Sequence, residues 1–271
     1  MGGRKLNRRN FLRSAFIFTA GLWVPKMGIL RSAEAGQISM VGGGAEAAVA
    51  PSIAWEELWE DTGYAGGWGE DQEAGDDVDP DALSSAVGSP SGWGTQCLKV
   101  ARLGNNATWA YCNLGTARAI TYTRVEIVPT VEGLANNEVT QIFTLFDSSI
   151  GAFFKLYLKQ DGSGNLKFTT NVGHDGVGEV FDGFPTLSLS TKYRIEIKWD
   201  ATSDKWAWKI DGTAQPNDQD ATDPVTAEGL LTGTHKTNQQ WLACGGAAGS
   251  GPAFTAYYDK LAVATNTWVG A

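Results

Sequence analysis

Trp68 and Trp93 lie at the ends of an acidic, glycine-rich stretch, Thr62 to Ser91, that carries Glu70, Asp71, Glu73, Asp76, Asp77, Asp79 and Asp81. An indole in such polar surroundings has two uses. It can be an exposed platform on which a sugar ring stacks, or an anchor that pins a long loop to the body of the protein. Trp241 and Tyr257 lie in later alternating runs and could present their rings on either face of a sheet. The carboxylates between the first two rings suggest a second chemistry, because calcium needs only carboxylate and carbonyl oxygens gathered by loops. Asp76, Asp77 and Asp79 are candidate ligands, although they lack the full spacing of an EF-hand, and acid-rich loops are also simply well solvated.

Other chemistries find little material. The two histidines, His174 and His235, stand outside any recognisable nucleophile motif, and His174-Asp175-Gly176 reads as a turn. Cysteine and histidine are nowhere spaced as zinc ligands. Cys97 and Cys112 flank Leu103-Gly104-Asn105-Asn106-Ala107, so they are either a cross-strand disulfide or two buried thiols, and Cys244 has no obvious partner.

The elements that must position these residues are strands. From Lys192 to Gly212 two alternating runs surround a polar turn, with Tyr193, Ile195, Ile197 and Trp199 on one face of the first and Trp206, Trp208 and Ile210 on one face of the second. Directly paired residues share a face. The apolar sets therefore meet only where paired residue numbers sum to an odd value, for example Trp199 opposite Trp206 and Ile197 opposite Trp208, which assigns these rings to the core. Alternation recurs in Thr95 to Ala101, Thr108 to Asn113, Thr121 to Val128, Glu138 to Phe146, Phe153 to Lys159, Leu166 to Thr170, Gln240 to Ala243 and Ala253 to Ala264. Strands without interposed helices predict an all-β antiparallel sandwich or barrel. The long loops Thr62 to Ser91 and Thr213 to Glu228 are where ligand contacts are expected.

The N-terminus is different in kind. Arg4, Lys5, Arg8, Arg9 and Arg13 precede or begin an apolar run from Phe16 to Val24, and Ala33-Glu34-Ala35 offers a small-x-small cleavage site. Arg8, Arg9, Phe11 and Leu12 match a twin-arginine export signal, with Asn7 where Ser or Thr is usual. The reading is a signal peptide over 1–35, a small-residue linker over 36–52 and one domain over 53–271, exported to the periplasm, the cell surface or the medium. The run is short for a permanent membrane span. Seven of the 21 basic residues and one of the 30 acids lie in 1–35, so the rest carries a net charge of −15. That charge repels nucleic acid.

The order of the pieces resembles the concanavalin A-like lectin/glucanase superfamily, in particular its laminin G-like bacterial members. The resemblance rests on Glu57-Leu58-Trp59-Glu60-Asp61-Thr62-Gly63-Tyr64, Gly94-Thr95-Gln96-Cys97-Leu98-Lys99-Val100, the hairpin ending in Ile210-Asp211-Gly212, and Tyr257-Tyr258-Asp259-Lys260-Leu261-Ala262-Val263. It implies a jelly roll of two packed sheets, with carbohydrate on a concave face or at the loop edge. It also implies a calcium where the first and last strands meet, held by Glu57 or Glu60 with Asp259, the alternative for Asp259 being a charge on the outer face of the last strand. The hydrolase motif Glu-x-Asp-x-x-Glu is absent, and where the alginate lyase branch has Gln-Ile-His this chain has Gln141-Ile142-Phe143. The expectation is a non-catalytic module that binds a polysaccharide, a cell-surface glycan or a surface protein through Trp68, Trp93, Trp241 and Tyr257. A divergent secreted hydrolase or lyase and a structural surface component are the alternatives.

Overall fold

A computed structural model describes residues 50–60, 68–71, 77–102, 108–147, 151–174, 177–183, 185–203, 205–215, 236–244 and 253–270. The export segment with Arg8, Arg9, Phe11 and Leu12 lies outside the described residues, as do most of the linker and Asp76. The chain divides into two units, Met1–Ala47 and Ala48–Ala271, and the second contains every described residue.

That unit is built from strands β1 (Ile53–Glu57), β2 (Trp68–Asp71), β3 (Asp77–Leu83), β4 (Gln96–Arg102), β5 (Thr108–Arg118), β6 (Ile120–Glu132), β7 (Val139–Asp147) and β8 (Gly151–Gln160). They are followed by β9 (Leu166–His174), β10 (Val177–Asp182), β11 (Tyr193–Asp200), β12 (Lys205–Ile210), β13 (Thr213–Ala214), β14 (Thr237–Cys244) and β15 (Phe254–Ala264). Among the described residues the only helix is a 3-10 turn over Ser84–Val87. The larger sheet runs β13-β12-β11-β6-β15-β4-β3, with β1 also on β15, and the smaller runs β10-β9-β8-β7-β14-β5-β2. All pairings are antiparallel, and the two sheets form a jelly-roll sandwich.

The hairpin has the register its alternation demands: Trp199 faces Trp206, Ile197 faces Trp208 and Ile195 faces Ile210. Its three tryptophans are fully buried. They meet the other sheet directly, Trp199 at 4.4 Å from the Phe153 ring and Trp206 at 5.6 Å from Phe154, while Tyr193 stands at 90° to Phe168. These aromatic pairs stitch the two layers together.

One expectation changes, and one open alternative is decided. The stretch from Thr62 to Ser91 is not one long loop, because it contains β2 and β3. In β3 the acids hide a period-2 pattern: Val78 is buried opposite Val100, and Asp77 pairs with Lys99 at 2.6 Å. Pro80 fits because β3 is an edge strand, where a missing N–H disrupts no ladder. Cys97 and Cys112, in turn, are buried free thiols. Their strands β4 and β5 belong to different sheets, so the thiols have no cross-strand relation.

Candidate functional site

β15 changes its edge partner part-way along. Phe254 to Tyr258 pair with β4, whereas Leu261 to Ala264 pair with β1. Between them the register against β6 slips, Asp259 facing Glu126 but Ala262 facing Arg124, and Lys260 takes a φ of +52°. A bulge of this kind inserts extra backbone and re-aims side chains. The gap it leaves between β1 and β4 is a pocket of about 270 Å³ lined by Leu58, Glu60, Gly92, Trp93, Gly94, Asp259 and Lys260. That is just below the usual size of a small-molecule site.

Each wall has a local cause. Glu57 Oε1 accepts the N–H groups of Leu58 and Trp59 at 3.1 and 3.0 Å, turning the chain after β1 through a Trp59 φ of +47° and carrying Glu60 to the pocket. Glu60 Oε2 accepts the Thr95 N–H at 3.2 Å. Its carboxylate lies where a Cβ on residue 94 would be, so the close approach requires Gly94. Trp93 is half-buried and donates its indole N–H to Glu126 Oε2 at 2.6 Å. Lys192 reaches the same oxygen at 3.2 Å and donates to the Ser91 carbonyl at 2.7 Å, tying the loop down.

Asp259 and Glu126 face each other directly with 1% and 7% of their surfaces exposed. Two acids in register repel. Burial pushes the Asp259 carboxyl up to about 7, with the charges of Glu60 and Glu126 adding to the rise and the Lys260 N–H and ammonium opposing it. The pocket therefore concentrates negative charge. It suits a hard cation in donor type, but among the described residues no three His, Cys, Asp or Glu side chains converge as a ready-made metal site.

The structure thus brings Trp93, Glu60 and Asp259 together, with Glu57 next to them but engaged by backbone. Asp259 is buried and not a solvated charge on the outer face. Tyr257 is partly exposed opposite Lys99 and Val128 on the larger sheet. Trp68 pairs with Cys112, and Trp241 with Tyr111 and Thr144, in the smaller sheet; their side chains lie outside the described residues. The four aromatic candidates therefore do not form one site. Of the other proposed calcium ligands, Asp77 is held by Lys99, and Asp79 accepts the Asp81 N–H at 3.0 Å. Glu126 and Lys192 have no local sequence signal, because only strand register sets Glu126 opposite Asp259 and brings Lys192 to Glu126.

A second surface is the outer face of the smaller sheet. In β8 and β9 Phe154, Leu156, Leu158, Phe168 and Val172 fill the core, so Lys155, Tyr157, Thr169 and Asn171 point outward. In β7 the register slips between Gln141 and Phe143, so that Ile142 and Phe143 both turn inward while Gln141 and Thr144 both turn outward. Two neighbouring rows result, Thr144–Lys155–Asn171 and Gln141–Tyr157–Thr169. Gln141, Thr144 and Thr169 are at most 6% exposed although they point away from the core, while Lys155, Tyr157 and Asn171 beside them are half-buried.

No protein-family model and no curated protein matches the chain. Solved structures do. The chain is similar to Cip1, a cellulose induced protein, at 15% identity and TM-score 0.56, over 80% of this chain and 99% of that one. A sialidase matches at 9% identity and TM-score 0.53 over 79% of this chain, which spans only 19% of the sialidase. A conserved carbohydrate esterase from Shiga toxin-encoding bacteriophage phi24B matches at 11% identity and TM-score 0.50, over 80% of this chain and 100% of that one. At such identities the likeness shows the fold alone.

Proposed function

We propose that the protein is an exported, non-catalytic β-sandwich module that binds carbohydrate, free or on a cell surface, on the outer face of its smaller sheet. The observation that carries this reading is the pair of rows on that face. A phenol ring, two carboxamides, two hydroxyls and an amine share one face of the sheet, and sugars offer both hydroxyl groups and apolar ring faces to such a mixture. Trp241 pairs with Thr144 and extends the first row to Tyr111. The solved structures named above include proteins whose names concern cellulose and carbohydrate esters, which agrees with this class of ligand.

Binding is favoured over cleavage because Asp182, the carboxylate in register with Thr169, is ion-paired with Lys159 at 3.1 Å. It has no companion acid on the two rows to form the pair that glycoside hydrolysis uses. Export is supported by the N-terminal pattern, and among the described residues no helix is long and apolar enough to cross a membrane. Calcium belongs to this proposal as a structural ion in the edge pocket, with Glu60 and Asp259 as its carboxylate ligands and backbone carbonyls completing the shell.

The test is a glycan-binding screen on the intact protein run beside reducing-end and unsaturated-product assays. Saturable binding without product is expected. Turnover of any glycan overturns the non-catalytic reading in favour of a divergent hydrolase or lyase. Absence of binding to every glycan overturns the carbohydrate reading itself.

A further inference from the structure

We propose that this outer face selects an anionic glycan, whose acid group pairs with Lys155 while Gln141 and Asn171 hold neighbouring hydroxyls. The inference rests on the reading of that face as a glycan site and adds the ligand's charge. It begins with an imbalance. The chain has 30 acids against 21 bases, and its described cations are mostly partnered: Lys99 with Asp77, Lys159 with Asp182, Lys167 with Asp161, Lys192 with Glu126 and Arg194 with Glu196. Lys209 instead lies 3.9 Å from the centre of the Trp268 ring. Lys155 is half-buried in the middle of its row and, among the described residues, has neither a carboxylate nor a ring as partner. An ammonium drawn partly out of water without a counter-charge is unfavourable, and in an acid-rich protein such a position would readily acquire an acidic neighbour.

A second observation points to a ligand at the same place. Gln141 is 6% exposed, and its Nε2 donates to Thr144 Oγ1 at 2.6 Å. Among the described residues its carboxamide oxygen has no hydrogen-bond partner, which is uncommon for a buried acceptor. A ligand hydroxyl would satisfy it. Tyr157 stands beside Gln141 and next but one to Lys155 along β8, and burial raises its phenol above the ordinary range, so it stays a neutral donor with a stacking face. Directly paired Cβ atoms lie roughly 5 Å apart, so the rows span about one sugar ring in each direction. The geometry offers one cation, one unfilled acceptor and one ring within a monosaccharide's reach. A neutral sugar would leave the ammonium unpaired, whereas a carboxylate or sulfate gains a charge-assisted hydrogen bond.

The deciding experiment measures calorimetric affinities of the intact protein for polygalacturonate, dextran sulfate and neutral dextran, using wild type, Lys155→Ala and Lys155→Arg. Matching melting temperatures will show that the variants fold. At least one acidic polymer should bind and dextran should not, with the comparison of uronate and sulfate identifying the preferred acid. Lys155→Ala should weaken the acidic polymer tenfold or more, and Lys155→Arg by less than about threefold. Non-specific attraction is an unsuitable explanation for such binding, because the chain is itself negative. Acidic binding that survives Lys155→Ala within twofold, or dextran bound as tightly as the acidic polymers, overturns the charge selection and leaves the glycan site standing. Failure of all three polymers overturns this inference, and failure across the broader screen removes the glycan site as well.

Discussion

Replacing Asp259 by Asn should stabilise the protein at pH 8 in the absence of divalent cations and leave it unchanged near pH 4. The carboxyl is held at about 7 in the fold against an ordinary 3.8. Between those values the native state keeps a proton that the unfolded chain has released, so stability falls as pH rises through this window and is level above it. Three pKa units correspond to about 4 kcal/mol, a ceiling because the surroundings relax around the charge. Half of that, about 2 kcal/mol, would raise the melting temperature by roughly 4–8 °C for a domain of this size. Asn keeps the acceptor for the Lys260 N–H, which bonds Asp259 Oδ1 at 2.7 Å, so geometry is conserved and only the charge is removed. The assay is thermal melting of both proteins from pH 4 to pH 8 with chelator and again with millimolar calcium. Calcium bound by Glu60 and Asp259 would supply the missing positive charge, raising the wild-type midpoint and sparing the variant, which reverses their order at pH 8. A chelated variant that gains nothing between pH 4 and pH 8 refutes the reasoning about the buried charge. A wild-type midpoint indifferent to calcium disposes of the ion.

Gly183→Ala should cost about 1–3 kcal/mol, because the new methyl would stand 2.5 Å from the Trp208 ring and 3.1 Å from the Phe168 carbonyl, neither of which can yield; urea unfolding measures it. Trp208→Ala should cost about 3–5 kcal/mol by opening a cavity under a fully buried ring, and a loss below 1 kcal/mol would show that the hairpin does not staple the sheets. Cys97 and Cys112 should resist a thiol reagent in the native protein and react on unfolding. Burial raises both thiols, Cys97 to about 12, and fast native labelling would contradict that environment.

The hairpin was legible because its apolar residues alternate without exception, and a one-residue slip would have turned three tryptophans to solvent. β3 was not, since five of its seven residues, Asp77, Asp79, Pro80, Asp81 and Ala82, disfavour strands, and it forms by edge pairing with β4. The state of the cysteines stayed open between disulfide and buried thiols for a related reason. A short turn between alternating runs suggests a hairpin, but β4 and β5 sit in opposite layers. At the edge pocket Glu60 and Asp259 could be nominated from the order of the motifs, whereas Glu126 could not, because its opposition to Asp259 depends on the register between β6 and β15, which lie far apart in the chain.

Period-2 alternation is a local property of the chain, so the amino-acid order by itself determined the strands' faces, the tryptophan core and the all-β class. Which acids, amides and cations became neighbours was decided by register slips at Ile142 and Lys260 and by β15 passing from β4 to β1. Those choices balance packing and backbone pairing over residues far apart in the chain, and no short stretch contains the information. The scaffold could therefore be read from its residues. The half-buried amine of Lys155 and the buried carboxyl of Asp259 acquired their meaning only when the sheets closed around them.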